Sequence, residues 1–180
     1  MQVVSIVGMA GSGKSEVARV FEKNGFKKIR FGDITDEEVK KRGLQLNEEN
    51  ERLVRQQLRQ KHGMAAYAKL NLTKIDARLK SSNVVVDGLY SWEEYTLLKS
   101  RYGNNFHVVA VWASPATRYL RLAKRQVRPL TTEEAAGRDV AELKSTNKGG
   151  PIAMADFTII NELSLKNLER QTEKVLSALR

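Results

Sequence analysis

The sequence contains no cysteine. Disulfides, thiolate metal sites and cysteine nucleophiles are excluded with it, and a cytoplasmic location fits. Aromatic residues are sparse, 7% of 180, and no RNA-recognition aromatic motif occurs among them. Trp92 and Trp112 read as core residues rather than stacking platforms. The two histidines, His62 and His107, lie too far apart to suggest a metal pair and read as a loop and a strand residue. Long apolar runs are missing. The longest, near Val3 to Val7 and Val108 to Ser114, are too short to cross a bilayer, so no membrane partner is expected. Residues 1–10 show no charged segment followed by an apolar one, so no secretory leader is expected there. Internal repeats and low-complexity stretches are absent as well.

What is there suits one globular domain: 180 residues, 41% hydrophobic and 29% charged. The net charge of +10 points to an anionic partner such as nucleotide phosphate, RNA or DNA, although a solvated basic surface gives the same number.

The stretch GMAGSGKS, Gly8 to Ser15, fits the phosphate-loop pattern G-x-x-x-x-G-K-[ST] at every fixed position. It follows a short β-branched run, Gln2 to Val7, and precedes an amphipathic helix from about Lys14 to Lys23. Gly8, Gly11 and Gly13 permit the backbone turns that aim successive N–H groups at an anion. Nucleotide binding is assigned to Gly8, Ala10, Gly11, Ser12, Gly13, Lys14, Ser15 and Glu16. Lys14 is expected to reach the β and γ phosphates, and Ser15 to ligate Mg²⁺. Asp87 ends the buried run VVVD and is the second expected metal residue; a turn aspartate before Gly88 is the bland reading.

Strands are predicted near 2–7, 26–31, 84–87, 107–112 and 157–160, with helices between them. Asn24-Gly25 closes the first helix, and a second has Asp36-Glu37-Glu38 in its first turn and ends at Gly43. Asn47 caps a third helix, and another covers about Met64 to Leu79. Ser91 with Glu94 forms a capping box. Ser114-Pro115 starts a helix running to about Gln126, Thr132 caps a short one, and Ser164 opens the last. The alternation predicts an α/β, three-layer fold with a five-stranded parallel sheet and helices on both faces. The expected organisation is a single domain over 1–180, with a core of 1–33, 81–117 and 152–180, an acceptor-binding helical insert of about 34–80 and a lid of about 118–151.

A guanine site would need N/T-K-x-D, and the nearest stretch, Asn147-Lys148-Gly149-Gly150, lacks the aspartate, which argues against a GTPase switch. The chain is short for a motor core. Arg118, Arg121, Arg125 and Arg128 are spaced 3, 4 and 3, so one helical face would carry all four, uninterrupted by an acid. Their mutual repulsion would be relieved by polyphosphate, as in a lidded kinase, or by solvent alone.

The segments GMAGSGKS, VVVDG, RLAKR, TTEEAAGRD and ADFTIINELSLKNL, in that order, resemble dephospho-coenzyme A kinases and their adenylate kinase relatives. With Gly32-Asp33 and K-K-R-G-L included, the pattern is most similar to an archaeal family of adenylate kinase-related proteins. The resemblance implies a nucleoside monophosphate kinase-like P-loop fold. It implies Arg121 beside the donor adenine, Arg125 and Arg138 clamping phosphates, and Asn161 near the adenine edge. Arg118 and Arg128 are weaker candidates for the same work. Asp33 is implied to orient an acceptor hydroxyl, with a turn or cap role as the alternative; Thr35 would serve better as the cap. The two arginines with which adenylate kinases grip the acceptor are missing: Asp36 and Ser91 stand there. Lys40, Lys41, Arg42, Arg52 and Arg55 are the candidate replacements.

The expected function is therefore an ATP- and Mg²⁺-dependent phosphotransferase with catalytic Lys14, Asp33, Arg125 and Arg138. Its acceptor is a nucleoside monophosphate or a hydroxyl-bearing metabolite. The alternatives are an RNA- or ribosome-associated ATPase, with nucleic acid not favoured, and a nucleotide sensor with little turnover.

Overall fold

The protein is described from a computed structural model, which describes residues 1–127 and 129–179. Arg128 lies outside them. Strands β1 (Val3–Val7), β2 (Lys27–Arg30), β3 (Val84–Asp87), β4 (Phe106–Trp112) and β5 (Phe157–Ile160) form one sheet in the order β2-β3-β1-β4-β5. Every pairing is parallel. Parallel neighbours need crossovers, and the helices supply them: α1 (Lys14–Lys23), α2 (Asp33–Lys41), α3 (Glu48–His62), α4 (Ala66–Leu79), α5 (Trp92–Tyr102), α6 (Pro115–Ala123), α7 (Thr132–Lys144), α8 (Gly149–Ala153) and α9 (Leu165–Ala178).

The side-chain alternation of the strands feeds two cores. Val4, Ile6, Val85, Val109 and Ile159 pack with Val17, Phe21, Leu168 and Leu176 of α1 and α9. On the other face Val3, Val7, Val84 and Val108 pack with Tyr67, Ile75 and Leu98. β1 is buried along its whole length, as a central parallel strand must be. After β1 the chain builds β2 and β3 on one side of it and then crosses to β4 and β5 on the other, so the carboxyl end of β1 is the switch point of the sheet, and Gly8–Ser15 occupies it. The expected α/β, three-layer architecture with five parallel strands is the observed one.

Local expectations differ from the structure at several ends. α6 stops at Ala123, with Lys124 as its C-cap, so Arg125 lies beyond the helix and the four-arginine face does not exist as such. Thr131, not Thr132, caps α7: its hydroxyl accepts from the Glu134 N–H while the Glu134 carboxylate accepts from its own N–H. That helix is 13 residues long rather than short. α2 begins at Asp33 after Gly32, so Thr35 is no cap; it is buried, and its hydroxyl shares a 2.6 Å hydrogen bond with that of Tyr67. At α5 only half of the capping box forms. Ser91 accepts from the Glu94 N–H, but the Glu94 carboxylate accepts from Tyr90 N–H, one residue earlier than the box requires. Trp92 and Trp112 are 39% and 48% exposed, so neither is a core residue.

Candidate active site

The phosphate loop leaves β1 with Gly8, Gly11 and Gly13 all at positive φ, 152°, 81° and 102°. Side chains are excluded there for a second reason. A Cβ on Gly8 would lie 2.3 Å from the Val111 carbonyl oxygen, and one on Gly11 would lie 2.8 Å from that of Arg118. The loop is thus pressed against β4 and α6. The first N–H groups of α1, at Gly13, Lys14 and Ser15, have no acceptor one turn back and open into the loop as an anion nest. The Glu16 carboxylate is turned away onto Arg19 at 3.0 Å. Ala10 and Ser12 are buried; Ser15 is exposed at the first turn.

Lys14 donates to the Met9 carbonyl at 2.9 Å, a bond inside its own loop. Burial, and then the Lys148 ammonium, push Lys14 down to about 7. Asp87, paired in register with Ile6, is 5% exposed. Its Oδ2 is buried without a hydrogen-bond partner, and the Lys28 ammonium is 3.8 Å away. A buried carboxylate oxygen with no donor, one strand from the nest and within the field of Lys14, fits a residue that holds Mg²⁺ together with Ser15.

Arg118 and Arg121, expected to face phosphate, are tied to protein. The buried Arg118 donates to the Ala113 and Ala10 carbonyls, both at 3.1 Å, and forms a two-pronged pair with Asp139 at 2.8 and 2.6 Å. It braces the loop against α6 and α7. Arg121 donates to the Asn161 carbonyl at 2.9 Å, while its Nη1 is buried without a partner. Asn161 is 7% exposed, and its amide donates to the Ser12 carbonyl at 2.8 Å, so its side chain is spent on the loop. Arg125 is exposed after α6.

On α7, Arg138 pairs with Glu142 at 3.3 Å and with Glu48 of α3 at 3.4 Å, linking α7 to α3. Glu142 also pairs with Lys148 at 2.7 Å. Burial opposes ionisation of Glu142, yet Lys148, Lys14 and Arg138 together hold its carboxyl down to about 2. Lys148 is 2% exposed. Nothing in its sequence context singled it out beyond a failed guanine motif; a lysine between Asn147 and two glycines reads as a surface turn.

Where an acceptor is expected, one guanidinium accounts for Asp36. Arg30, at the end of β2, donates to Asp33 and Asp36, both at 2.8 Å. The carboxylate that replaces an expected arginine is therefore neutralised before any ligand arrives. Ser91 is spent as the cap of α5 and donates to the Met64 carbonyl at 2.8 Å. The proposed replacement cations do not converge. Lys40, Lys41 and Arg52 are exposed, Arg42 pairs with Glu38, and Arg55 with Glu48 and Glu51. His62 ends α3 and His107 lies in β4; among the described residues no group of three or more potential ligands could hold a metal by itself. Among them also, no helix is long and apolar enough to cross a membrane.

The sequence profile of a family described as an AAA domain matches residues 4–141. A UPF0200 protein of Thermococcus kodakarensis is 40% identical over 181 residues, covering 98% of this chain and 97% of that protein. One from Thermococcus onnurineus is 37% identical with the same coverage. Among solved structures, TT1252 from Thermus thermophilus superposes with a TM-score of 0.67 at 21% identity, over 99% of this chain and 98% of the other. A gluconokinase from Sinorhizobium meliloti gives 0.62 at 16%, over 99% and 93%. A shikimate kinase from Bacteroides thetaiotaomicron gives 0.61 at 14%, over 99% and 98%. These likenesses show a P-loop kinase fold. Identity sustained along the whole length shows the lineage: the chain belongs to the UPF0200 protein family of archaea.

Proposed function

We propose that the protein is an ATP-dependent phosphotransferase acting on a small molecule. The observation that carries this reading is the buried meeting of loop and lid: Lys14, Arg138 and Lys148 gather around the single carboxylate of Glu142, beside the nest. In a partly buried site these cations act on a polyphosphate more strongly than they would in water.

The α1 N-terminus binds the phosphate chain, and Lys14 exchanges its Met9 carbonyl for the β and γ oxygens. Arg138, already held over the site by Glu142 and Glu48, meets the charge that spreads over the transferring group. Arg125 remains a candidate for the same role as the lid closes. Ser15 and Asp87 would hold Mg²⁺, which neutralises phosphate charge when bound. Asp33, fixed by Arg30, orients the acceptor hydroxyl. Arg121 and Asn161 support the donor side by stiffening the loop, and Arg121 also borders the adenine. Catalysis then rests on positioning and charge neutralisation. The names of the solved neighbours, gluconokinase and shikimate kinase, favour an acceptor hydroxyl over a nucleoside monophosphate.

Lys14→Ala is expected to abolish phosphoryl transfer from labelled ATP in an acceptor screen of hydroxy acids, nucleoside monophosphates and dephospho-coenzyme A. Turnover within threefold of wild type overturns the role of Lys14. No product with any acceptor, while ATP still binds, favours a sensor. The net charge of +10 favours a second reading, an RNA- or ribosome-associated ATPase.

A further inference from the structure

One cation beside the cleft, Arg59, is not used by the reading above, and a second, Lys148, is used there only through Glu142. Arg59 comes from α3 and Lys148 from the turn before α8. Each lies over a tyrosine ring, Arg59 over Tyr67 and Lys148 over Tyr90, both 5.4 Å from the centroid. The two rings touch edge to face, with centroids 5.3 Å apart. Both rings are fixed. The Tyr67 hydroxyl is bonded to Thr35. The Tyr90 hydroxyl would lie 2.5 Å from a Cβ on Gly88 and 3.3 Å from one on Gly32, so it is wedged between the turns that carry Asp87 and Asp33. The pair therefore forms a floor at the carboxyl edge of the sheet, on the side where an acceptor enters.

The polar atoms above this floor are incompletely matched. Arg59 Nε is buried with no hydrogen-bond partner, and among the described residues Arg59 forms no ion pair. Glu94, fully buried, leaves Oε1 without a partner, although its other oxygen accepts from the Tyr90 N–H at 2.8 Å. Lys148 uses one of its three N–H groups on Glu142. A half-buried guanidinium whose Nε is buried and unpartnered, and a buried ammonium with spare donors, each over one ring of a rigid aromatic floor and within each other's field, form a receptor for a group with two or more acceptor oxygens.

We propose that Arg59 and Lys148 together receive an oxyanion, phosphate or carboxylate, carried by the acceptor. The proposal rests on the kinase reading for the word acceptor, and it names the class of that acceptor: a molecule with an anionic group at one end and the reacting group near Asp33 at the other. Arg59 and Lys148 thus take the place of the two missing arginines, from different elements.

The test reads binding, not turnover, so it stands apart from the test of the reaction. With the donor site filled by Mg²⁺ and a non-hydrolysable ATP analogue, inorganic phosphate and malonate are titrated calorimetrically. Wild type is expected to bind at least one of them. Preference for phosphate assigns a phosphorylated acceptor and preference for malonate a carboxylic one; both support the pocket. Arg59→Gln is expected to weaken that anion at least tenfold, with analogue affinity changed less than threefold. Since Lys148→Gln alone strands Glu142, the double variant Glu142→Gln with Lys148→Gln serves as its counterpart, with the same anion loss expected. Three results overturn the proposal: wild type binds neither anion, Arg59→Gln binds it as wild type does, or Arg59→Gln loses the analogue in equal measure. A kinase without this pocket gives product in the acceptor screen with no anion site; a pocket without kinase activity gives the reverse.

Discussion

Lys14 and Glu94 are two side chains whose environment moves their protons toward neutrality. Lys14 is held down to about 7 by burial and by Lys148. A bound polyphosphate favours its charged form, so its value must rise on binding. Binding then takes up protons, and affinity falls as the pH climbs above about 7, by at most roughly tenfold per pH unit. Calorimetry at pH 8 in buffers of different ionisation enthalpy should detect uptake approaching one proton per nucleotide. An absence of uptake would remove Lys14 from the phosphate contact.

Glu94 has the opposite sign. Burial raises its carboxyl from 4.5 to about 7 in the folded protein. Its contribution to stability is therefore full below about 4.5 and is lost as the pH rises through about 7, roughly 3 kcal/mol in all. Glutamine keeps an acceptor for Tyr90 N–H and carries no charge. Glu94→Gln should flatten this part of the stability profile and melt higher than wild type at pH 8; an unchanged pH profile in urea titrations would contradict the assignment.

At the scale of the element, α6 and α7 show why an arginine stripe is not a phosphate site by itself. The spacing of Arg118, Arg121 and Arg125 defines one face only while the helix continues, and it stops at Ala123. Arg118 is then drawn inward by Asp139, twenty-one positions along the chain, with side-chain exposures of 5% and 13%. Breaking a buried pair leaves one charge stranded, at a cost of about 3 kcal/mol or more. Asp139→Asn should lower stability by that order in denaturant titrations. It should also weaken nucleotide binding, because Arg118 anchors the Ala10 carbonyl of the loop. Loss of neither would mean that the brace is not shared between lid and loop.

For the whole molecule, the +10 charge is the feature left over. Part of it lies at the candidate site, where Lys14, Arg138 and Lys148 surround the carboxylate of Glu142. The surplus on the surface sets the response to nucleic acid. Under the phosphotransferase reading, electrophoretic mobility of ribosomal RNA should be unshifted by the protein at moderate salt. Tight binding that weakens steeply along a salt series would favour the RNA-associated reading instead. The insert at 34–80 and the lid at 118–151 stay proposals as units, though the Glu48–Arg138 pair spans them.

The sequence by itself determined the donor half. A β-branched run, three glycines and Lys-Ser fix the phosphate nest, because strand, positive φ and helix start are local requirements met within 13 residues, Val3 to Ser15. The parallel sheet followed from the alternation of short apolar runs with amphipathic helices. Helix ends were less legible: the cap of α7 depends on which of two adjacent threonine hydroxyls reaches the Glu134 N–H, and α6 ends where the chain turns back so that the Leu130 N–H meets the Leu122 carbonyl. The tertiary structure alone decided which charges meet. Arg30 with Asp36, Arg118 with Asp139, and Glu142 with Lys148 are joined by the topology of the sheet and the packing of the helices around it. A charge in a sequence has a sign but no partner; burial and proximity across the fold decide whether it is spent on the protein or kept for a ligand.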